Sequence, residues 1–269
     1  FVHQGRELIE GAFLPNFTRP QTDNDRRAWK SHEALRQWYR AEPALVSSEA
    51  VQLASGQVRV SSRYEIVPDS ASVFVDYTMD ASGVLKVDYR LDAHPELPNL
   101  PKVGMQGAVN RSFDQLSYYG RGPLENYIDR RFGFAAGVYQ QALEDFMEPY
   151  VMPQENGNRT DVRWMHLADA AQGGLLVAAD SLLSVGAWPY TEENIQEATH
   201  TYQLVDAGKI VLNVDLVQMG LGGNNSWSPV GKPVEQYRIP SGTYTYSFYL
   251  IPARGTAREM DKHYRKDRF

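Results

Sequence analysis

Residues Gly242–Ile251 read GTYTYSFYLI, and their alternation decides the fold class. Tyr244, Tyr246 and Phe248 fall on one side of an extended chain, while Thr243, Thr245 and Ser247 fall on the other. Successive side chains of a strand point to opposite faces, so this pattern predicts an antiparallel strand with one dry face and one wet face. KIVLNVDLVQM (Lys209–Met219) repeats the period, setting Val211, Asn213 and Asp215 against Leu212, Val214 and Leu216. SVFVDYTM (Ser72–Met79) and GVLKVDYRL (Gly83–Leu91) flank DASG, a glycine-containing hairpin connection. GGLLVAA (Gly173–Ala179) is continuously apolar and suits a strand covered on both faces. Helical signals are sparse. RRAWKSHEALRQWYR (Arg26–Arg40) spaces Trp29, Leu35 and Trp38 loosely along one face, and TEENIQEATH opens with Thr191 as an N-cap before Glu192 and Glu193. HPELPNLPKVG (His94–Gly104) reads as a rigid connection between strands, and AREMDKHYRKDRF as a short charged tail. With no repeat and no flexible linker, the expectation is one all-β domain over residues 1–269, a large antiparallel sandwich with 1–15 and 252–269 as peripheral ends.

The totals narrow the function classes. The chain has 269 residues, 42% hydrophobic and 22% charged, and no apolar run long enough to cross a bilayer, so no membrane partner is expected. A formal net charge of −6 offers no basic face for phosphate backbones, so no nucleic-acid partner is expected either. Cysteine is absent, which excludes disulfides and thiolate metal sites. The chain opens FVHQGRELIEGAFLPNF and its first methionine is Met79, so it is expected to be cut from something longer.

Polar chemistry concentrates in YYGRGPLENYIDRRFG (Tyr118–Gly133) and PYVMPQENGNRTDVRWMHL (Pro149–Leu167). Glu125, Glu155, Arg159, Asp161 and His166 stand there among tyrosines and Trp164. Carboxylates can accept sugar hydroxyls while rings face the apolar side of a pyranose, so these residues are a candidate cleft. The same residues would equally serve as an ion-pair and amide network holding irregular loops. Arginine neighbours lower a carboxylate's pKa, which suits neither a general acid nor a poised base, so no catalytic residue is assigned. No metal ligands are assigned: the six histidines form no HxH or HExxH pair, and TDND (Thr22–Asp25) lacks the pattern of a calcium loop.

GLGGNNSWSPV (Gly220–Val230) poses a different question, because it sets a large indole, Trp227, among glycines, asparagines and serines. Gly222 and Gly223 are expected to let the backbone turn sharply, and Pro229 to stiffen the exit.

Four stretches taken in order carry a resemblance: NFTRPQTDND (Asn16–Asp25), YYGRGPLENYIDR, PYVMPQENGNRTDVRW and MGLGGNNSWSP. Together they are similar to the C-terminal domain, often called the small chain, of beta-galactosidases among the family-2 glycoside hydrolases, over roughly Asn16 to Ile251. The resemblance implies a supersandwich of the galactose-mutarotase-like type. It also implies a parent enzyme that hydrolyses terminal beta-galactosides with two carboxylates on a catalytic barrel of the same polypeptide, so that this part alone is inactive. Trp227, with Ser226 and Asn225, would then contact the sugar or its aglycone. The loop departs from relatives that carry an acidic pair where Asn224 and Asn225 stand. The resemblance further implies a homo-oligomeric parent needing Mg or Na held mostly by the barrel, with no cofactor in this domain. The alternative reading is a self-sufficient carbohydrate-binding or mutarotase-like module built on the candidate cleft, and a third is a purely structural interface module. Compartment stays open between bacterial cytoplasm and periplasm, as does the natural galactoside.

Overall fold

A computed structural model describes residues 1–266. In chain order the strands are β1 (Val2–His3), β2 (Arg6–Glu7), β3 (Ile9–Asn16), β4 (Ala44–Gln52), β5 (Val58–Val67), β6 (Ala71–Met79) and β7 (Leu85–Ala93). They continue with β8 (Lys102–Asn110), β9 (Gln115–Gly122), β10 (Ala135–Ala142), β11 (Arg159–Ala168), β12 (Gly173–Trp188), β13 (Lys209–Gln218) and β14 (Thr243–Arg254). Every pairing between them is antiparallel.

One layer runs in the order β10-β9-β11-β12-β14-β7-β6-β5-β4. The second layer is reached through β12 itself. Its first half, Gly173–Ala179, pairs with β14, while Ser184–Trp188 pairs with β13, which continues to β8 and then β3. Between the halves, residues 180–182 are exposed, so the strand leaves one sheet and enters the other there. A strand that changes sheets this way makes the corner of a sandwich.

The alternation in GTYTYSFYLI does what its pattern predicts: Tyr246 and Phe248 are buried and Thr243 and Thr245 exposed. Tyr246 stands opposite Tyr89 of β7, ring centroids 5.0 Å apart, and Phe248 meets Phe13 of β3 at 5.9 Å across the sandwich. Room for Phe13 comes from Gly107 on β8, where a Cβ would lie 2.0 Å from the ring.

Four expectations need correction. β13 is buried on both faces, since Asn213 and Asp215 are interior as well as Leu212 and Val214; Lys102 of the neighbouring β8 reaches Asn213 Oδ1 at 2.7 Å and makes that polar face affordable. The segment 26–40 is not one helix. It breaks into a π turn at Asn24–Ala28, α1 (Ser31–Ala34) and α2 (Arg36–Tyr39), interrupted at Lys30 with φ 52°. The first end is not peripheral, because Leu8, Ile9 and Phe13 belong to the main core. Nor is the second: α5 (Ala257–Lys266) buries Ala257 and Met260 against Trp164 and Leu176, although 267–269 of the expected tail lie outside the described residues. The remaining helices are α3 (Leu143–Phe146) and α4 (Glu192–Glu197). On α4 the Thr191 side chain accepts from Asn194 N at 3.1 Å, the capping bond that the sequence predicted.

Candidate functional site

β13 ends at Gln218, and the chain from Met219 to Val234 crosses one end of the sandwich with little regular structure. Its backbone is nevertheless well anchored. Gly220 N donates to Tyr237 O at 3.0 Å, and Asn224 N donates to Val230 O at 2.9 Å. Asp129 Oδ2 accepts from Leu221 N and Gly222 N at 2.8 and 3.1 Å. Asn24 Nδ2 donates to Gly231 O at 3.1 Å and Asn225 O at 3.4 Å, tying the loop to the π turn. Asn225 Oδ1 accepts from Trp227 N and Ser228 N at 3.2 and 3.0 Å, an Asx turn that fixes the apex. Pro229 opens a short 3₁₀ turn through Gly231, as an exit-stiffening proline should.

Neither Gly222 nor Gly223 adopts positive φ, so the expected sharp turn is not why glycine stands there. Gly223 is required by close approach: a Cβ would fall 2.2 Å from Lys232 O.

Upon this braced loop, Trp227 is 81% exposed. An indole held that far out leaves most of its apolar area uncovered by this chain. Ser226 beside it is exposed, while the Asn225 side chain is consumed by the turn. Val230 of the same loop is also exposed, as are Phe132 and Val151 elsewhere in the chain. Arg121 and Arg131 lie over the Phe132 ring at 5.8 and 5.3 Å.

The five residues of the candidate cleft are not brought together around one opening. Arg159 and His166 sit seven residues apart on β11, about 20 Å at strand rise. Glu125 accepts from Arg130, from Tyr150 OH at 2.6 Å and from Gly157 N at 2.7 Å. Asp161, at φ 55°, is clamped by Arg121 Nε at 2.5 Å and Arg131 Nη1 at 2.8 Å. Arg159 is buried over Phe146, donating to Tyr118 OH at 3.1 Å and Phe146 O at 3.3 Å. These contacts are those of a network that holds loops.

Glu155 and His166 are different. Burial pushes the Glu155 carboxyl up to about 8, outweighing Arg19, Lys102 and the bond from Tyr127 OH. That value would suit a general acid, but Glu155 is 3% exposed, so no substrate reaches it within this chain. Burial also lowers His166 to about 4, leaving it a neutral interior ring. Among the described residues no group of three or more histidines and carboxylates could hold a metal ion. Five surface cavities of 320 to 530 Å³ are lined by other residues than these five.

Sequence reasoning placed Asp129 only in the polar stretch and missed its role as a brace of the Trp227 loop. The residue lies inside ENYIDR, 93 residues before the glycine whose N–H it accepts, and nothing local distinguishes it from its arginine-paired neighbours.

Comparison with known proteins gives a consistent result. A family model described as beta galactosidase small chain matches residues 1–250. The chain is 33% identical over 254 residues to a beta-galactosidase of Priestia megaterium, covering 94% of this chain and 24% of that protein. It is 32% identical to a beta-galactosidase of Streptococcus thermophilus, covering 93% and 24%. The chain therefore spans about a quarter of the length of these relatives. Among solved structures, the galactose 1-epimerase from Lactobacillus acidophilus aligns with 78% of this chain and 67% of its own, at 11% identity and a TM-score of 0.38. A GH36 alpha-galactosidase from Geobacillus stearothermophilus aligns with 82% and 27%, at 9% identity and a TM-score of 0.40.

Proposed function

Because the chain belongs to the beta galactosidase small chain family, we propose that it is the non-catalytic C-terminal part of a beta-galactosidase and completes that enzyme's substrate pocket. In this reading the reactive carboxylates stand on a catalytic barrel elsewhere in the same polypeptide, where they cleave terminal beta-galactosides with retention. This chain lends the barrel an apolar wall, the face of Trp227, against which the C–H side of a sugar or its aglycone lies. Ser226 is placed to hydrogen-bond a sugar hydroxyl, and Asn225 positions both by holding the turn. Any Mg or Na requirement and the homo-oligomeric assembly belong to the whole enzyme.

The observation that carries the reading is the exposed indole on a loop whose backbone is anchored by hydrogen bonds. A large apolar side chain left mostly uncovered by its own domain, on a loop anchored by hydrogen bonds, is arranged for something outside. The test is steady-state kinetics of Trp227→Ala in the full-length enzyme with a series of aglycones. A loss of kcat/KM that varies with the aglycone is expected, and unchanged kinetics for every substrate would overturn the role.

A further inference from the structure

A cavity of 530 Å³ opens between the chain after β3, strand β8 and helix α4, and it shares no lining residue with the Trp227 loop. Its volume lies within the roughly 300–1,000 Å³ of small-molecule sites. Its lining is mostly polar: Asn16 and Gln106 bring amides, Gln196 an amide paired at both ends with Gln21, Glu192 and Glu193 bring carboxylates, and His32 meets Tyr39 edge-on at 5.2 Å.

Glu192 is held from behind. Asn16 Nδ2 and Gln106 Nε2 donate to its Oε2 at 3.3 and 3.1 Å. Its Oε1 accepts from no protein group among the described residues. Gln106 Nε2 also donates to Asn213 Oδ1 at 3.0 Å, and that oxygen takes Lys102 Nζ at 2.7 Å. The carboxylate at the cavity thus rests on a polar chain reaching into the interior, where Lys102 and Asn213 are buried and Asn213 Nδ2 has no partner. Apolar residues of similar volume would stabilise this interior equally well, so stability alone does not account for it. A buried relay that fixes the direction of one half-free carboxylate is a preorganised acceptor.

We propose that this cavity is a binding site for a neutral pyranose, distinct from the Trp227 surface. The amides and a carboxylate are grouped to meet vicinal hydroxyls, and the His32 and Tyr39 rings add apolar surface beside them. The one guanidinium in the lining, Arg19, is committed to Asp25 and to the carbonyls of Met219 and Gly220. Among the described residues the lining sets no other lysine or arginine beside the two carboxylates, so the site rejects anionic sugars.

The 269-residue chain carries every lining residue of the cavity, so the titrations use it as it stands. Galactose, glucose and glucuronate are titrated into it and followed by two-dimensional amide NMR. Saturable shifts with the neutral sugars at roughly millimolar concentration, strongest at the Asn16 and Gln106 side-chain amides, are expected, with no response to glucuronate. Glu192→Gln should weaken binding about tenfold through loss of a charge-assisted bond, while Trp227→Ala should leave it unchanged. The proposal fails if no neutral sugar saturates below about 100 mM. It fails equally if glucuronate binds as well as galactose, or if Trp227→Ala abolishes binding that Glu192→Gln preserves. Mapping on the unsubstituted chain answers the question even if a variant unfolds. Because Trp227 is outside the cavity, the outcome is independent of the proposed role of its loop.

Discussion

Replacing Trp227 by alanine in the full-length enzyme separates an outward-facing indole from a structural one, and the size of the effect follows from the geometry. A tryptophan side chain presents about 250 Å² when fully uncovered. At 81% exposure about 200 Å² of it faces away from this domain. A sugar ring lying on one face would cover about half of that area, which at about 25 cal/mol per Å² is about 2.5 kcal/mol. Contact limited to the ring edge would leave about 1 kcal/mol, so kcat/KM should fall by roughly 5- to 70-fold. The loss should be largest for the aglycones that reach furthest toward the loop. Stability gives the internal control. The part of the ring already covered is about 50 Å², worth at most about 1 kcal/mol, or about 2–4 °C in Tm for a domain of this size. Kinetics with several aglycones and a thermal melt of the same preparation therefore suffice. Unchanged kcat/KM throughout, or a melting loss several times larger than this bound, would show that the ring supports the fold and that the reasoning from exposure is wrong.

Asp129→Ala removes the acceptor for Leu221 N and Gly222 N, so it should reproduce part of the Trp227→Ala kinetic loss without touching the ring. The double variant should lose less than the sum of the two, and full additivity in kcat/KM would disprove the coupling. Glu155→Gln should flatten the dependence of stability on pH. The folded carboxyl titrates near 8 against an ordinary 4.5, so the folded state keeps a proton that the unfolded state releases between these values, and stability falls as pH rises by up to about 1.4 kcal/mol per unit. Asp215, pushed up to about 7 by burial, acts in the same direction and survives in the variant, so the slope should shrink rather than vanish; urea titrations at about pH 5 and 8 decide it, and an unchanged slope refutes it. Met260→Ala should cost about 2–5 kcal/mol, because α5 buries this side chain completely against Trp164. A melt within about 1 °C of the parent chain would return α5 to the status of a dispensable tail.

Much of the fold was legible because its strands obey a local rule. Tyr244, Tyr246 and Phe248 alternate with Thr243, Thr245 and Ser247, and a two-residue period depends only on the chain's own geometry. The cap at Thr191 was legible for the same reason, since donor and acceptor are three residues apart. The same rule misled at Asn213 and Asp215. Their polarity suggested a wet face, yet Lys102 arrives from another strand and lets the pair stay dry, and no local pattern announces a partner 111 residues away.

By itself, the sequence determined that the chain is an antiparallel β protein, that DASG turns between two of its strands, and through four ordered stretches which family it belongs to. Only the tertiary structure decided that Trp227 faces outward, that Asp129 and Asn24 brace its loop, and that Glu125, Arg159 and Asp161 hold one another rather than a ligand. Strand periodicity and helix caps are set by neighbours along the chain, whereas exposure and hydrogen-bond partnership are set by neighbours in space. Asp129 meets the Trp227 loop across some ninety residues of intervening chain.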